Sequence, residues 1–267
     1  MRALIKTLLL AGFAATAAAS AQDPSAYEPL PRDPLGTRLI NVATPYPVRA
    51  RTLEILFTHR FQQRINHATS HELWGLDGGA DIGIGLAYGV TPGLELEVYR
   101  SSFQETFELS GKLLLFEQAA KVPVTLSLRG GVDRLERPGA VDPTRPFAQL
   151  LVSRRLARGV NLLLAPSWAA DTPQLKDAVN VPVGLSFALG RRDLLELEYI
   201  PKNRDLEGSR EAWHVAYSSA VGGHIFEVLV GNSRSTTVDQ MLGGDAASGF
   251  ARRDVRLGFN IVRDFSF

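Results

Sequence analysis

The sequence contains no cysteine. Disulfide bonds, thiolate metal sites and cysteine nucleophiles are therefore excluded from any account of its fold or function. Beyond residue 21 it also lacks any apolar run approaching the roughly 20 residues that a membrane-spanning helix needs. Hydropathy windows alone would favour a soluble chain, but such windows detect alternating membrane strands poorly.

The chain also lacks a strong charge of either sign. Its 29 Lys and Arg residues nearly balance 28 Asp and Glu residues, which gives a formal net charge of +1. Loss of Arg2 and Lys6 with a signal peptide would change this value to +1 − 2 = −1. Non-specific binding to nucleic acid depends on an excess of positive charge, so the composition predicts no nucleic-acid partner.

The first residues have the pattern of an export signal. Arg2 and Lys6 precede an apolar stretch, and Ala19-Ser20-Ala21 follows as a small-residue cleavage site. We therefore expect residues 1–21 to be a cleaved secretory signal peptide. The proline-rich residues 22–51 are predicted to be a periplasmic lead-in segment, and one hypothesis places Leu39-Ile40-Asn41-Val42 in the mouth of the following domain as a plug.

Strict alternation of apolar and small or polar residues dominates residues 52–267. In Ala80–Val90, large apolar residues such as Ile82, Ile84 and Tyr88 occupy one face, and mainly glycine occupies the other. A soluble strand usually carries polar groups on its outer face, whereas a transmembrane barrel directs large apolar residues to lipid. Twelve such stretches predict an all-β, antiparallel transmembrane β-barrel of about 12 strands. Ten or fourteen strands, and a soluble β-sandwich, are the alternatives.

The connections between these stretches alternate in length. Short links such as Thr91-Pro92-Gly93 fall on the side that holds both chain ends, while most links on the other side are longer, for example Gln62–Gly79. Transmembrane barrels have short periplasmic turns and longer extracellular loops. The pattern therefore predicts a bacterial outer-membrane protein with periplasmic N- and C-termini, in contact with outer-membrane lipid.

The last stretch ends on an aromatic residue. Phe265 and Phe267 lie on its apolar side and are predicted to join an aromatic girdle at the membrane interface. This stretch must pair with the first, because an open sheet edge in lipid leaves backbone groups unsatisfied. A terminal phenylalanine also resembles the assembly signal of outer-membrane barrels, which implies the barrel-assembly machinery as a partner.

Two motifs carry a resemblance to a known family. His59-Arg60-Phe61 ends the first predicted strand, and Leu76–Asp81 (Leu-Asp-Gly-Gly-Ala-Asp) leads into the second. In these elements the chain resembles an uncharacterised family of Gram-negative outer-membrane β-barrels. The resemblance implies the barrel fold and a membrane location. It implies no activity and no catalytic residues.

Charged residues lie on the face of the strands that the alternation assigns to the barrel interior. One interpretation is a selectivity lining for charged solutes, and the other is a salt-bridged, occluded lumen in which opposite charges neutralise one another. A barrel of this size lies between filled and open barrels, so both interpretations stay open. The candidate residues are Glu95, Glu97, Glu108, Lys112, Arg129, Glu196, Glu198, Glu227 and Arg256.

Three functions follow, in order of preference. The first is a porin-like channel for small polar or charged solutes, the second is a non-conducting structural or partner-binding barrel, and the third is a phospholipase-like enzyme. None of the five histidines is followed two positions later by the serine such an enzyme would use, so we predict no enzymatic activity and no cofactor. His67 and His71 have a spacing that suits metal binding on a helix, but their context predicts a solvated loop and no metal.

Overall fold

The computed structural model of the protein describes residues 36–141, 143–172, 176–244 and 254–267. The predicted signal peptide, residues 1–21, and the first part of the predicted lead-in, residues 22–35, lie outside the described residues. In the described part of the chain, no helix combines the length and the apolar character needed to cross a membrane.

Twelve antiparallel strands account for most of the described chain. They coincide with the twelve alternating stretches of the sequence. Their bounds are β1 Thr52–Phe61, β2 Ala80–Thr91, β3 Leu94–Ser101, β4 Thr106–Phe116, β5 Thr125–Leu135, β6 Thr144–Ala157, β7 Val160–Leu164 with Ser167–Ala169, β8 Ala178–Asn180 with Val183–Ala188, β9 Asp193–Ile200, β10 Ala212–Val221, β11 His224–Gly231 and β12 Arg256–Ser266.

The sheet closes on itself. Each strand pairs with its neighbours in the sequence, and β12 pairs with β1 from Thr52↔Ser266 to Arg60↔Gly258. Closure satisfies the backbone groups that an open edge would leave unpaired. The prediction of a 12-strand antiparallel barrel is therefore confirmed, and the ten-strand, fourteen-strand and sandwich alternatives are not.

Proline interrupts two of the strands without breaking the barrel. Pro166 divides β7 and Pro182 divides β8, because proline has no N–H to donate to a neighbouring strand. The carbonyl groups of both prolines still accept hydrogen bonds: Ala165 N–H donates to Pro182 O at 2.9 Å, and Leu150 N–H donates to Pro166 O at 2.8 Å. The two halves of each strand thus remain joined to the sheet.

The two ends of the barrel differ in their connections. We call the end that carries Thr52 and Ser266 the turn end. Its links are Pro92-Gly93, Arg158-Gly159, residues 189–192 and Gly222-Gly223, with residues 117–124 as the longest. The opposite, loop end carries residues 62–79, 201–211 and 232–255, with residues 102–105 as a short exception. The placement of the turn end in the periplasm stays a prediction.

Burial alternates along each strand as the sequence indicates. In β2 the outward-facing Ile82, Ile84, Leu86 and Tyr88 are 39–53% exposed, whereas Asp81 and Ala87 are buried inside. The outer wall of the barrel is therefore apolar. The inner wall is largely polar and charged, with an apolar patch that includes Phe147, Leu151 and Leu163.

The inner glycines of β2 make room for a tyrosine. Tyr99 from β3 is fully buried, and its hydroxyl hydrogen-bonds to Thr58 Oγ1 at 2.7 Å. A Cβ atom at Gly83 would overlap both of these side-chain oxygens, and one at Gly85 would lie 3.0 Å from the Tyr99 ring. The small residues on this face of β2 thus accommodate a side chain that crosses from the neighbouring strand.

Gly83→Ala is expected to destabilise the barrel by about 1–3 kcal/mol, because overpacking displaces Tyr99 and breaks its hydrogen bond. The measurement is the denaturant midpoint of the refolded protein in detergent. Gly111→Ala is the matched control, since a Cβ atom there meets its nearest neighbour at an ordinary 3.5 Å. Equal midpoints for the two variants would contradict this account of β2.

Candidate functional site

The interior of the barrel holds a segment of chain that precedes β1. We call residues 36–50 the lead-in segment. Its core, Leu39-Ile40-Asn41-Val42, is 1–3% exposed, in agreement with the hypothesis that these residues plug the barrel. The segment folds back on itself: Leu39 N–H donates to Val42 O at 2.9 Å, and Thr44 N–H donates to Thr37 O at 2.8 Å. It leaves at the turn end, where Ala50 bridges to Gly89.

Glu198 on β9 holds the centre of the lead-in segment. Its Oε2 accepts hydrogen bonds from the backbone N–H groups of Asn41 and Val42, both at 2.8 Å, and its Oε1 accepts one from Asn41 Nδ2 at 2.8 Å. Asn41 Nδ2 also lies 3.2 Å from His214 Nδ1. One buried carboxylate thus satisfies three donors of a segment that has little regular structure of its own.

The opposite side of the lead-in segment is held by charge. The Arg38 guanidinium lies 2.8 Å from Glu97 Oε1 and 3.3 Å from Glu108 Oε1. Arg129 contacts the same two carboxylates, at 2.9 Å for Glu97. Burial lowers the pKa of Arg38, but the attraction of the two carboxylates outweighs this effect and raises that pKa above its ordinary value. Two arginines and two glutamates therefore form a neutral buried cluster.

A lysine and a glutamate bind the segment near the turn end. Lys112 Nζ lies 3.0 Å from Glu95 Oε1 and donates to Tyr46 O at 3.1 Å. Glu95 Oε2 in turn accepts a hydrogen bond from Val48 N–H at 2.7 Å. This ion pair of the barrel wall thus binds both an N–H group and a carbonyl group of the lead-in segment.

Polar residues of β1 and β12 also bind the lead-in segment. Asn260 Nδ2 donates to Ile40 O at 3.0 Å and to Glu227 Oε1 at 2.6 Å. Arg60 donates to Asn41 Oδ1 and to Asn260 Oδ1, both at 2.8 Å. The wall therefore binds the lead-in segment from several sides of the barrel.

A second insertion enters from the loop end. The helix α1, Val238–Gly243, belongs to the link between β11 and β12, and all six of its residues are buried. Asp239 forms an ion pair with Arg145 at 2.7 Å, and its N–H donates to Asp133 Oδ2 at 2.8 Å. Val238 N–H donates a hydrogen bond to Glu108 Oε2 at 3.0 Å. Glu108 therefore contacts both insertions.

The structure places all nine of the predicted interior residues on the inner wall, where each is at most 7% exposed. Six of them bind the lead-in segment or belong to the buried cluster that contains Arg38. They are Glu95, Glu97, Glu108, Lys112, Arg129 and Glu198. Glu196 and Glu227 both contact the hydroxyl of Ser218. Arg256 lies apart from them at the loop end and is 3.4 Å from Asp254.

Sequence reasoning missed the partners that these residues have outside the strands. Arg38, Asn41 and Asp239 belong to segments outside the strands, and no spacing rule connects them to the wall. For α1 a local signal existed, because Gly244 adopts φ +65° as a left-handed helix cap. That signal predicts where a helix ends but not that the helix enters the barrel.

Other candidate residues have simpler surroundings. His67 and His71 are exposed in the loop after β1, and in the described ranges no three His, Asp or Glu side chains are grouped to hold a metal ion. Phe265 and Phe267 are 41% and 77% exposed at the turn end. Phe267 N–H donates to Arg51 O at 3.0 Å, which fixes the end of the chain beside the start of β1.

A space lies beside the lead-in segment on the side of β1 and β12. It has a volume of about 400 Å³, part of which is open solvent, and it lies between Gly36–Ile40 and the wall. Glu54, Glu196 and Glu227 contribute carboxylates to its lining. A second space, of about 200 Å³ and also partly open to solvent, lies among Leu39, Thr44, Asn161 and Ser186.

The family that the sequence matches agrees with this architecture. A family model described as a membrane-bound beta barrel domain (DUF5777) matches residues 35–265. No curated protein matches the chain. Among solved structures, outer membrane phospholipase A from Escherichia coli is 12% identical with a TM-score of 0.44, over 82% of this chain and 91% of that one. A triple-mutant porin from Rhodopseudomonas blastica is 14% identical with a TM-score of 0.34, over 69% and 55%.

Proposed function

Since the chain belongs to the DUF5777 family of membrane-bound β-barrel domains, which agrees with the resemblance found in its sequence, we propose that it is an outer-membrane barrel whose lumen is closed at rest. In that state it does not conduct solutes and acts as a structural or partner-binding barrel. This is the function that the sequence analysis ranked second, after the porin-like channel. Its lipid surroundings and the barrel-assembly machinery are the partners we propose.

The observation that carries the proposal is the occupation of the lumen from both ends. The lead-in segment enters from the turn end and α1 from the loop end, and the Glu108 carboxylate binds both. Buried hydrogen bonds to charged groups contribute about 1.5–3 kcal/mol each, and several of them hold each insertion. Such contacts favour an occluded lumen over a permanently open pore.

A gated channel for small polar or charged solutes is the second candidate. The lead-in segment packs apolar residues such as Leu39 and Ile40 into a buried cluster with wall residues such as Leu163. Gating is favoured by its other contacts, which are hydrogen bonds and ion pairs to polar wall residues. Water can replace such contacts if the segment leaves, whereas an apolar interface would resist hydration. In the gated protein, the nine interior charges would line the pore.

The decisive experiment is single-channel recording of the refolded protein, without residues 1–21, in a planar bilayer with a salt gradient. We expect no conductance steps from correctly folded, heat-modifiable protein. A variant in which a glycine-serine linker replaces residues 37–48 is the positive control and should give steps or increased current noise. Frequent, reproducible steps from the unmodified chain would contradict a closed resting state. Rare steps would favour the gated channel.

We also propose that the protein is not an enzyme. The support is the absence of a His-x-Ser arrangement at any of its five histidines. In addition, the ring of His59 on the outer wall is stacked 4.7 Å from the Phe259 ring, which is a packing role. Hydrolysis of phospholipid by the purified, folded barrel would contradict this proposal.

A further inference from the structure

Three neighbouring strands place an arginine, a phenylalanine and an arginine side by side on the outer wall. Arg100 on β3 is opposite Phe107 on β4, and Phe107 is opposite Arg134 on β5. Adjacent strands lie about 4.8 Å apart, so the two arginine Cα atoms are about 10 Å from each other. Tyr99 and Asp133, which precede the two arginines, are buried inside, and the arginines therefore face outward.

This row lies where the apolar wall meets the loop end. Ile84 is opposite Arg100, and Val98 and Leu109 follow on the same face. These three are 42–55% exposed, as is typical of a wall that contacts lipid. On the other side of the row the strands end at Ser101, Thr106 and Leu135. The two guanidinium groups thus lie at the boundary between the apolar wall and the loop end, where a membrane barrel is expected to meet lipid headgroups.

The phenylalanine and the local backbone position the first guanidinium. The Arg100 guanidinium carbon lies 5.1 Å from the centroid of the Phe107 ring, a cation–π contact. Arg100 also donates a hydrogen bond to Ser101 O. Its charge is therefore held beside the ring and does not extend away from the wall as a free side chain.

The second guanidinium is available to compete for an anion. Arg134 Nε lies 2.8 Å from Glu136 Oε1, and the two side chains are 58% and 45% exposed. Exposed ion pairs of this kind are weak, because water and salt screen the two charges. A phosphate, which accepts paired hydrogen bonds from guanidinium groups, can displace or share this contact.

We propose that Arg100, Phe107 and Arg134 form a binding site for the phosphorylated headgroup of a membrane lipid. The two arginines bind the phosphate, and the Phe107 ring together with Leu109 contacts the first part of the acyl chains. Two features carry this inference. Two positively charged side chains lie on either side of β4 at the edge of the wall, and an apolar surface lies directly beside them. The site does not depend on whether the lumen conducts.

The experiment is native mass spectrometry of the folded barrel in detergent, titrated with phosphatidylglycerol or with the diacylglycerol that has the same acyl chains. We expect the phosphorylated lipid to bind more tightly. The double variant Arg100→Gln, Arg134→Gln should lose about tenfold or more of that affinity, because both positive charges that attract the anionic headgroup are removed. The double lysine variant should retain part of it, since charge remains without the guanidinium fork.

Arg154→Gln is the matched control, because Arg154 is an exposed arginine on β6 near the turn end, opposite Leu162. Its affinity for phosphatidylglycerol should equal that of the unmodified chain. Equal binding of the two lipids, unchanged binding by the double glutamine variant, or an equal loss in Arg154→Gln would each overturn the site. Competition by inorganic phosphate as effective as that by the lipid would overturn the lipid assignment.

Discussion

Replacing Glu198 with alanine is expected to release the lead-in segment from the lumen. The substitution leaves Asn41 N–H, Val42 N–H and Asn41 Nδ2 without the carboxylate that accepts all three of their hydrogen bonds. Each buried donor left unpaired costs about 1–3 kcal/mol, so the inserted state should lose about 3 kcal/mol or more. Since 1.4 kcal/mol corresponds to a factor of ten, the displaced state should become at least about a hundred times more populated.

The absence of cysteine from the chain allows a direct measurement. A single Val42→Cys substitution places a unique thiol on a side chain that is 1% exposed. Its rate of labelling by a water-soluble maleimide should rise at least about a hundredfold when Glu198→Ala is added. Glu196→Ala is the matched control, because Glu196 is equally buried on the same strand but hydrogen-bonds to Ser218 on the wall. Similar rates in both backgrounds would refute the role of Glu198.

Glu108→Gln is expected to loosen both insertions at once. Oε1 of Glu108 contacts Arg38 and Arg129, whereas Oε2 accepts the hydrogen bond from Val238 N–H. The neutral substitution leaves two buried guanidinium groups with Glu97 as their remaining carboxylate in the cluster. Removing one partner of a buried ion pair destabilises the folded state by about 3–5 kcal/mol. We therefore expect faster labelling of Val42→Cys and of Leu242→Cys, which report on the lead-in segment and on α1.

Asp239→Asn separates this coupled effect from a local one. Asp239 pairs with Arg145 and hydrogen-bonds within α1, but it does not contact the lead-in segment among the described residues. The Asp239→Asn substitution should increase the labelling rate of Leu242→Cys and leave the labelling rate of Val42→Cys unchanged. If Glu108→Gln also affects a single reporter, the two insertions are independent, and Glu108 does not connect the two ends of the barrel.

If both results are obtained, the charges of the inner wall have a structural role at rest. Glu198 and the cluster of Arg38, Arg129, Glu97 and Glu108 would hold the insertions, in agreement with the salt-bridged interpretation of the sequence. A selectivity role could then be exercised only after the lead-in segment has left. The effect of these substitutions on ion preference is therefore best measured in the linker variant, in which the wall is free.

The barrel itself could be predicted from the sequence. Alternation in stretches such as Ala80–Val90 assigned all twelve strands, and it placed Glu198 and Arg129 on the inner wall. The physical reason is that side chains of a strand point to opposite faces with a period of two, so a few neighbouring residues determine which face is buried.

What fills the barrel was decided by the tertiary structure. Asn41 and Glu198 are 157 residues apart, and Glu108 and Val238 are 130 apart. Neither Gly36–Ala50 nor α1 has an alternation that indicates its partner, since each binds through backbone groups, single polar side chains and a few apolar residues without a strand's period. Inward-facing carboxylates and arginines require partners when buried, but the sequence alone allows water, each other or an inserted segment. Only the closed barrel brings Arg38, Asn41 and Val238 within hydrogen-bonding distance of those charges, and this proximity selects the inserted segments.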